Sequence, residues 1–455
     1  MARAGEKSPD DSPRAATMRK VTRRVVPVLM LGYIVSYIDR INISFAKFGL
    51  EQSFGMTAAQ YGFAAGIFFV GYVLAEVPSN MIMVKVGARI WLSRIMVTWG
   101  IIAAAMAFVP NVEMVYVLRF VLGVAEAGFF PGILLYLTRW FPNAERTKVI
   151  ATVMVAIPLA GVIGSPFNGW ILSAFHDFLG LDGWRWVFLI GGLPAVLLGI
   201  VFFLTVTERP ADARWLTAGQ RDWLVSTLAA EESERTTTAP PSHRAVFRNK
   251  KVIALTAVYF LLQCGAYPLT YWMPSVIKDV GRTLTSVQVG WLSAVPFLLA
   301  AICMYLSGRL VRDERSSKPV MIALGISVVT FIVTAVSLGT PALAFCAITI
   351  ATMAAQTAKP LFWSLPTAFL AGAGAASGIA LINSLGNAAG FVSPFAVGWI
   401  QDATGGNAGL SMTVMILANV LAMVVIAALW RSARRAPGKA ANLPVPDVSG
   451  PSPSR

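Results

Sequence analysis

The sequence predicts an all-α integral membrane protein, with twelve transmembrane helices arranged as two six-helix halves. Three observations predict it. Of 455 residues, 56% are hydrophobic and only 13% charged, whereas a soluble chain of this length carries about 25% charged residues. Twelve stretches reach the roughly 20 predominantly apolar residues that a spanning helix needs. Every second connection between them is rich in Lys and Arg, the alternation that the positive-inside rule requires of an even number of spans.

The first six apolar stretches cover 25–45, 61–83, 90–110, 114–138, 149–172 and 185–206. Residues 1–24 are polar and basic, without the apolar core and small-residue cleavage site of a signal peptide. The first stretch is therefore expected to remain as a helix. A charged, Thr/Pro-containing linker over 207–250 follows, in which Trp215, Trp223 and Leu224 indicate a short amphipathic helix. Six further stretches cover 251–275, 287–310, 319–338, 342–371, 375–400 and 408–430. The expected organisation is thus a tail over 1–24, halves over 25–206 and 251–430 joined by the linker, and a Pro/Ala/Ser-rich disordered tail over 431–455.

The basic residues check this count. One set of connections carries Lys85, Arg89 and Arg94, then Arg139, Arg146 and Lys148, then the linker cations, then Arg309, Arg312, Arg315 and Lys318. Both tails belong with them, through Arg19, Lys20, Arg23 and Arg24 and through Arg431, Arg434, Arg435 and Lys439. The opposite connections hold few cations, notably Lys47, Lys278 and Arg282. Both termini are expected in the cytoplasm, and the net charge of +15 reads as orientation within a bilayer, not as a nucleic-acid surface.

Several function classes drop out. There is no phosphate-cradling G-x-x-x-x-G-K-[ST] loop for an ATP-driven pump, and no spanning stretch carries the arginine ladder of a voltage sensor. Cys264, Cys303 and Cys346 lie in apolar stretches without metal-ligand spacing, and His176 and His243 fall in connections. No metal, cofactor or nucleophile–base pair is indicated, so an enzyme is not expected. Two six-helix halves with a cytoplasmic linker match the plan of secondary transporters, which bind substrate near the midplane between repeats. The energy would come from an ion gradient or from the substrate gradient.

Charge inside the spanning stretches marks the candidate site, because each charged residue at bilayer depth costs roughly 2.5–3.5 kcal/mol. The first stretch contains Tyr37-Ile38-Asp39-Arg40-Ile41-Asn42. Asp39 and Arg40 are neighbours about 100° apart on a helix, so one can face a cavity while the other faces an adjacent helix. In the fourth stretch Arg119 and Glu126 stand two turns apart, about 10.5 Å along one face. Asp39 and Arg40 can instead form a structural ion network that locks the helix in place, and Arg119 can snorkel to the outer interface while Glu126 makes a structural hydrogen bond. The small-residue run around Glu126, Ala125-Glu126-Ala127-Gly128, and the set Pro158, Gly161, Gly164, Pro166 and Gly169 read as packing and rocking surfaces.

In the second half, Tyr259, Gln263, Tyr267 and Tyr271 share one helical stripe, and Asn383 and Asn387 repeat that spacing. Such groups can bind carboxylate and hydroxyl groups or simply hydrogen-bond between helices. Asn383 is the asparagine assigned to substrate. Lys359, ahead of Pro360, either faces the cavity as a third cation or snorkels.

Taken together these residues resemble the anion:cation symporter family of the major facilitator superfamily, over Tyr33 to about Asp402. The similar stretches are Tyr37-Ile38-Asp39-Arg40-Ile41-Asn42, Glu76-Val77-Pro78-Ser79-Asn80, Gly87-Ala88-Arg89, Arg119 through Phe141-Pro142, and Ile382-Asn383-Ser384-Leu385-Gly386-Asn387. The resemblance is to bacterial uptake permeases for tartrate, sugar acids, phthalate and hydroxyphenylacetate. It implies the major facilitator fold and proton coupling by Asp39 and Glu126. It also implies a role for Arg40 and Arg119 in substrate binding or gating. Two departures stand out: no acid precedes Gly87 in the connection after the second span, so the conformational lock there needs other partners, and Lys359 stands where a small or neutral residue is expected.

The resulting expectation is a monomeric carrier of the bacterial inner membrane that takes up an organic carboxylate with protons by alternating access. Asp39 and Glu126 carry the proton, and Tyr37, Arg40, Arg119, Gln263, Tyr267, Tyr271, Lys359 and Asn383 bind the anion. The alternative is an anion exchanger in which the buried acids are structural.

Overall fold

A computed structural model of the chain describes residues 13–236, 249–310, 317–369 and 374–434. All regular elements among them are helices. The first half comprises α1 (Pro13–Phe54), α2 (Ala58–Val86), α3 (Ala88–Ala105), α4 (Val112–Glu126), α5 (Phe129–Thr138), α6 (Asn143–Met154), α7 (Ala156–Ala174) and α8 (Gly183–Thr205). The linker contributes α9 (Ala218–Thr236). The second half comprises α10 (Lys250–Val280), α11 (Ser286–Leu310), α12 (Lys318–Val336), α13 (Pro341–Phe369), α14 (Gly374–Asn387), α15 (Ala389–Ala403), α16 (Ala408–Ser411) and α17 (Thr413–Arg434). Linker residues 237–248, the connection holding Arg312 and Arg315, and the tail from residue 435 lie outside the described residues.

Among the described residues, eleven helical passages are long and apolar enough to cross a membrane. The predicted eleventh span is the exception by continuous length, because α14 and α15 divide it at Ala388. Exposed Leu74, Ile101, Leu204, Val336 and Leu417 form an outer apolar surface that only lipid can satisfy. The molecule is a multi-pass membrane protein.

Three other predicted spans differ in shape from the expectation. The first is longer: α1 begins at Pro13, inside the expected polar tail, and runs to Phe54. Its early turns are amphipathic, burying Met18, Val21 and Val25, while Arg24 stacks its guanidinium 5.4 Å from the Trp215 ring of the linker. The fourth span breaks after Glu126. Gly128 adopts φ +87°, where a Cβ would also come within 2.4 Å of Ser79 Oγ, so glycine is required there. Ser79 Oγ donates to the freed Ala127 carbonyl at 2.7 Å and accepts from Trp91 Nε1 at 3.0 Å. The fifth span divides at Val155, because the Pro158 ring crowds the carbonyl four residues earlier.

The acid missing ahead of Gly87 comes from the linker side. Glu208 accepts from the Ala88 and Arg89 N–H groups at 2.9 and 2.7 Å, capping α3, and from Arg139 Nη1 at 2.5 Å. A carboxylate at a helix N-terminus is favourable both as acceptor and against the helix dipole.

The halves meet along α7 with α11 and α2 with α15. Backbones touch there: a methyl group on Gly290 would lie 2.6 Å from the Ser165 carbonyl, and one on Gly398 would lie 2.1 Å from that of Ala58. Asp402 of the second half caps α2 of the first, accepting from the Ala58 and Ala59 N–H groups at 3.0 and 2.8 Å. Tyr61 Oη donates to the Tyr271 carbonyl at 2.7 Å. These contacts close the molecule at the end where α1 finishes and α2 begins. Gly161 and Gly169 lie on this seam, against Phe297 and against Ser286 and Gly290 respectively, as the packing-surface reading expects.

Candidate functional site

The polar residues of α1 diverge around the helix as their spacing requires. Arg40 turns toward α4, where its Nε and Nη2 both donate to Glu126 Oε1, at 2.8 and 2.5 Å. Ser36, one turn earlier on the same face, donates to that oxygen at 2.5 Å. Three donors therefore converge on one carboxylate oxygen, while Glu126 Oε2 is buried with no partner. The break after Glu126 is what lets a residue at the end of α4 meet α1. Arg40 lies over the Tyr37, Phe68 and Tyr72 rings, 4.9–5.2 Å from their centroids, a desolvated setting in which cation–π attraction is at its strongest.

Asp39 faces the other way. Its Oδ1 accepts from Asn42 Nδ2 at 3.3 Å, and Asn42 Oδ1 in turn accepts from Asn168 Nδ2 of α7 at 3.0 Å. Asp39 Oδ2 has no partner. Among the described residues it forms no ion pair, and the side chain is 2% exposed.

Arg119 does not join Glu126. Although the two stand on one stripe of α4, Arg119 is fully enclosed and reaches α2, donating Nε to the Ala64 carbonyl at 3.1 Å and Nη2 to that of Ala65 at 3.2 Å. Its guanidinium lies 5.0 Å from the Phe68 centroid, and Nη1 is unpartnered. It does not snorkel.

In the second half, Tyr267 Oη donates to Asn387 Oδ1 at 3.0 Å and Gln263 Nε2 approaches the same oxygen at 3.4 Å. Asn387, not Asn383, is thus the asparagine joined to the α10 stripe. Asn383, half-buried one turn away, makes no side-chain hydrogen bond within the described residues. Gln263 Oε1 is buried and unpartnered. Tyr271 uses its backbone carbonyl on Tyr61 and keeps its ring 6.5 Å from that of Tyr267. Tyr259 leaves the polar group altogether, stacking on Phe362 and packing at a tilt against Trp363. Lys359 turns inward: its Nζ stands 5.6 Å from the Tyr267 ring centroid.

The two clusters approach each other through rings. Phe69 of α2 contacts Tyr267 of α10 at 4.6 Å between centroids, and Phe68, its neighbour, lies under Arg40. Sequence reasoning missed Glu76, which sits 4% exposed in α2 and accepts from Ser384 Oγ of the opposite half at 2.9 Å. Its place in a spanning stretch was the signal that could have found it. Among the described residues no three of His, Cys, Asp and Glu converge as metal ligands.

The profile of the Major Facilitator Superfamily matches residues 29–394. The chain belongs to the major facilitator superfamily. This transporter is 46% identical, over 87% of each chain, to a protein of Agrobacterium vitis named as a candidate tartrate transporter. It is 40% identical to a candidate metabolite transport protein of Pseudomonas putida, NicT, over 87% of this chain and 90% of the relative. Among solved structures it superposes on a bacterial homologue of the human lysosomal transporter Spinster with TM-score 0.71 and 17% identity, covering 94% of this chain and 100% of the other. That likeness establishes the fold. The expected superfamily and the all-helical fold are borne out, and the protein is a membrane transporter, not an enzyme.

Proposed function

We propose that this transporter carries an organic carboxylate across the bacterial inner membrane in symport with protons, as a monomer with both termini in the cytoplasm. The observation that carries this reading is the bonding of Glu126. While ionised, it holds Arg40 through two charge-assisted bonds to its single oxygen Oε1, a contact that a substrate carboxylate would have to displace. A proton on the partnerless Oε2 would neutralise Glu126 without breaking the three bonds to Oε1, leaving the guanidinium's positive charge uncompensated for the anion. Proton and anion then favour each other, as linkage demands. Asp39, with its own unpartnered oxygen, supplies a second protonation site beside the first. Tyr37, Gln263, Tyr267, Tyr271 and Asn383 surround the anion. Arg119 acts as a positioning residue, holding α2 and thereby the rings beneath Arg40.

Relatives named for tartrate support a carboxylate cargo, and the basic connections beside the linker and at both tails support the orientation. The test is uptake into proteoliposomes of labelled tartrate, galactonate, phthalate and hydroxyphenylacetate. An inward proton gradient should drive accumulation of at least one acid, and collapsing the gradient should abolish it. Accumulation that needs an internal counter-anion and ignores the proton gradient would replace symport by exchange.

A further inference from the structure

Among the described residues Lys359 lacks a counter-charge, and the helices of its half hold few acids that could supply one. Helices α10 to α17 contain only two acidic residues, Asp279 and Asp402. Asp279 is the next-to-last residue of α10, and the Asp402 carboxylate caps α2. The buried acids of the first half are engaged elsewhere: Glu126 with Arg40, Asp39 with Asn42, Glu76 with Ser384. Among the described residues Lys359 forms no ion pair, yet it is half-buried in the interior of a spanning helix and turned toward Tyr267. A membrane-interior cation without an acid is expensive; an arriving anion relieves that cost.

A second orphan lies beside it. Gln263 is 4% exposed, its amide nitrogen is directed at Asn387, and its Oε1 has no donor. Tyr267 links the two, under the Lys359 ammonium on one side and bonded to Asn387 on the other. Its ring also meets Phe69, whose neighbour Phe68 underlies Arg40. Arg40 and Lys359 therefore flank one aromatic seam from opposite halves, each bearing a positive charge.

We propose that Lys359 and Gln263 form a second anion subsite opposite Arg40, which makes this carrier selective for dicarboxylates over monocarboxylates of the same skeleton. The inference rests on the carboxylate-transport reading above and deepens it. One carboxylate meets Arg40 once Glu126 is protonated. The other meets the Lys359 ammonium, and Gln263 Oε1 accepts from a hydroxyl between them when the skeleton carries one. A ligand held at both ends ties the halves together across the seam, so the second charge contributes to closure as well as to affinity.

The experiment is counterflow in proteoliposomes without any proton gradient, using two matched pairs: tartrate against threonate, in which one carboxylate is replaced by hydroxymethyl, and phthalate against benzoate. The parent should prefer the dianion of a transported pair. Lys359→Met should lower kcat/KM for that dianion about tenfold or more, the worth of one charge-assisted contact, while the monoanion changes by less than about twofold. Lys359→Arg should restore the preference. Transport of the monoanion by Lys359→Met reports that the variant is folded. A dianion preference that survives Lys359→Met, or an equal loss for both members of a pair, overturns the subsite and leaves the carboxylate reading standing. A parent that transports galactonate or hydroxyphenylacetate but none of these four acids overturns the subsite alone, and one that transports none of the six, in counterflow or under a gradient, overturns both.

Discussion

Replacing Glu126 by glutamine removes one negative charge and almost nothing else. The amide oxygen can stand where Oε1 stands and keep the bonds from Arg40 Nε, Arg40 Nη2 and Ser36 Oγ. The amide nitrogen takes the position of Oε2, which has no partner to lose. The variant is therefore a fixed mimic of the protonated site. A hydrogen bond to a charged group contributes about 1.5–3 kcal/mol against about 1 for a neutral one. Releasing Arg40 from an ionised competitor should strengthen anion binding by about 1–2 kcal/mol, a factor of about 5–30. The empty variant should also lose stability, up to the roughly 3–5 kcal/mol that follows removal of one partner of a buried ion pair, so purification calls for bound anion. The assay is equilibrium binding of a transported acid to purified parent, Glu126→Gln and Asp39→Asn. Glu126→Gln should bind about 5- to 30-fold more tightly than the parent, because no ionised glutamate competes for Arg40. A variant that binds no more tightly than the parent would refute the reasoning. A gain of that size in Asp39→Asn and none in Glu126→Gln would assign the coupling proton to Asp39 instead.

Two further outcomes follow from the packing. Arg119→Lys keeps the charge but loses the fork that spans the Ala64 and Ala65 carbonyls, so it should lower the thermal stability of the detergent-solubilised protein by about 2–4 kcal/mol. KM for the anion should change little in the folded fraction; a raised KM at unchanged stability would make Arg119 a substrate ligand. Gly398→Ala drives a methyl group into the Ala58 carbonyl, an overpacking cost of about 1–3 kcal/mol paid only when this seam is closed. The closed-to-open ratio at this end should fall about 5- to 150-fold. Faster thiol labelling of Gln401→Cys in a cysteine-free background would register that shift, and an unchanged rate would show that the seam accommodates the methyl group.

The candidate site was legible in its ingredients and not in its pairings. Asp39, Arg40, Arg119 and Glu126 stood out because charge is rare in apolar stretches. Their adjacency implied nothing about partners, since the bond that matters joins Arg40 to a residue 86 positions away. Arg119 and Glu126 share a stripe but serve different neighbours, α2 and α1, because the break at Gly128 ends α4 at Glu126. Asn383 and Asn387 are indistinguishable by spacing. Only the position of α14 against α10 selects Asn387 for Tyr267. Glu76 and Ser384 both stand in stretches that carry the family resemblance, but nothing local joins them or gives Glu76 a role, because they are 308 residues apart.

By itself the sequence determined that this chain crosses a membrane many times, that it is helical throughout its spans, and which few residues carry charge there. Those properties are local: a run of apolar residues meets lipid on the same terms wherever it sits, and an ionised side chain within it incurs the same desolvation. Tertiary structure alone decided which acid faces which cation, where spanning helices break, and that Lys359 points inward with no acid to meet it among the described residues. Such features depend on contacts between helices tens to hundreds of residues apart, set by how glycine-lined backbones dock, and no local pattern encodes them.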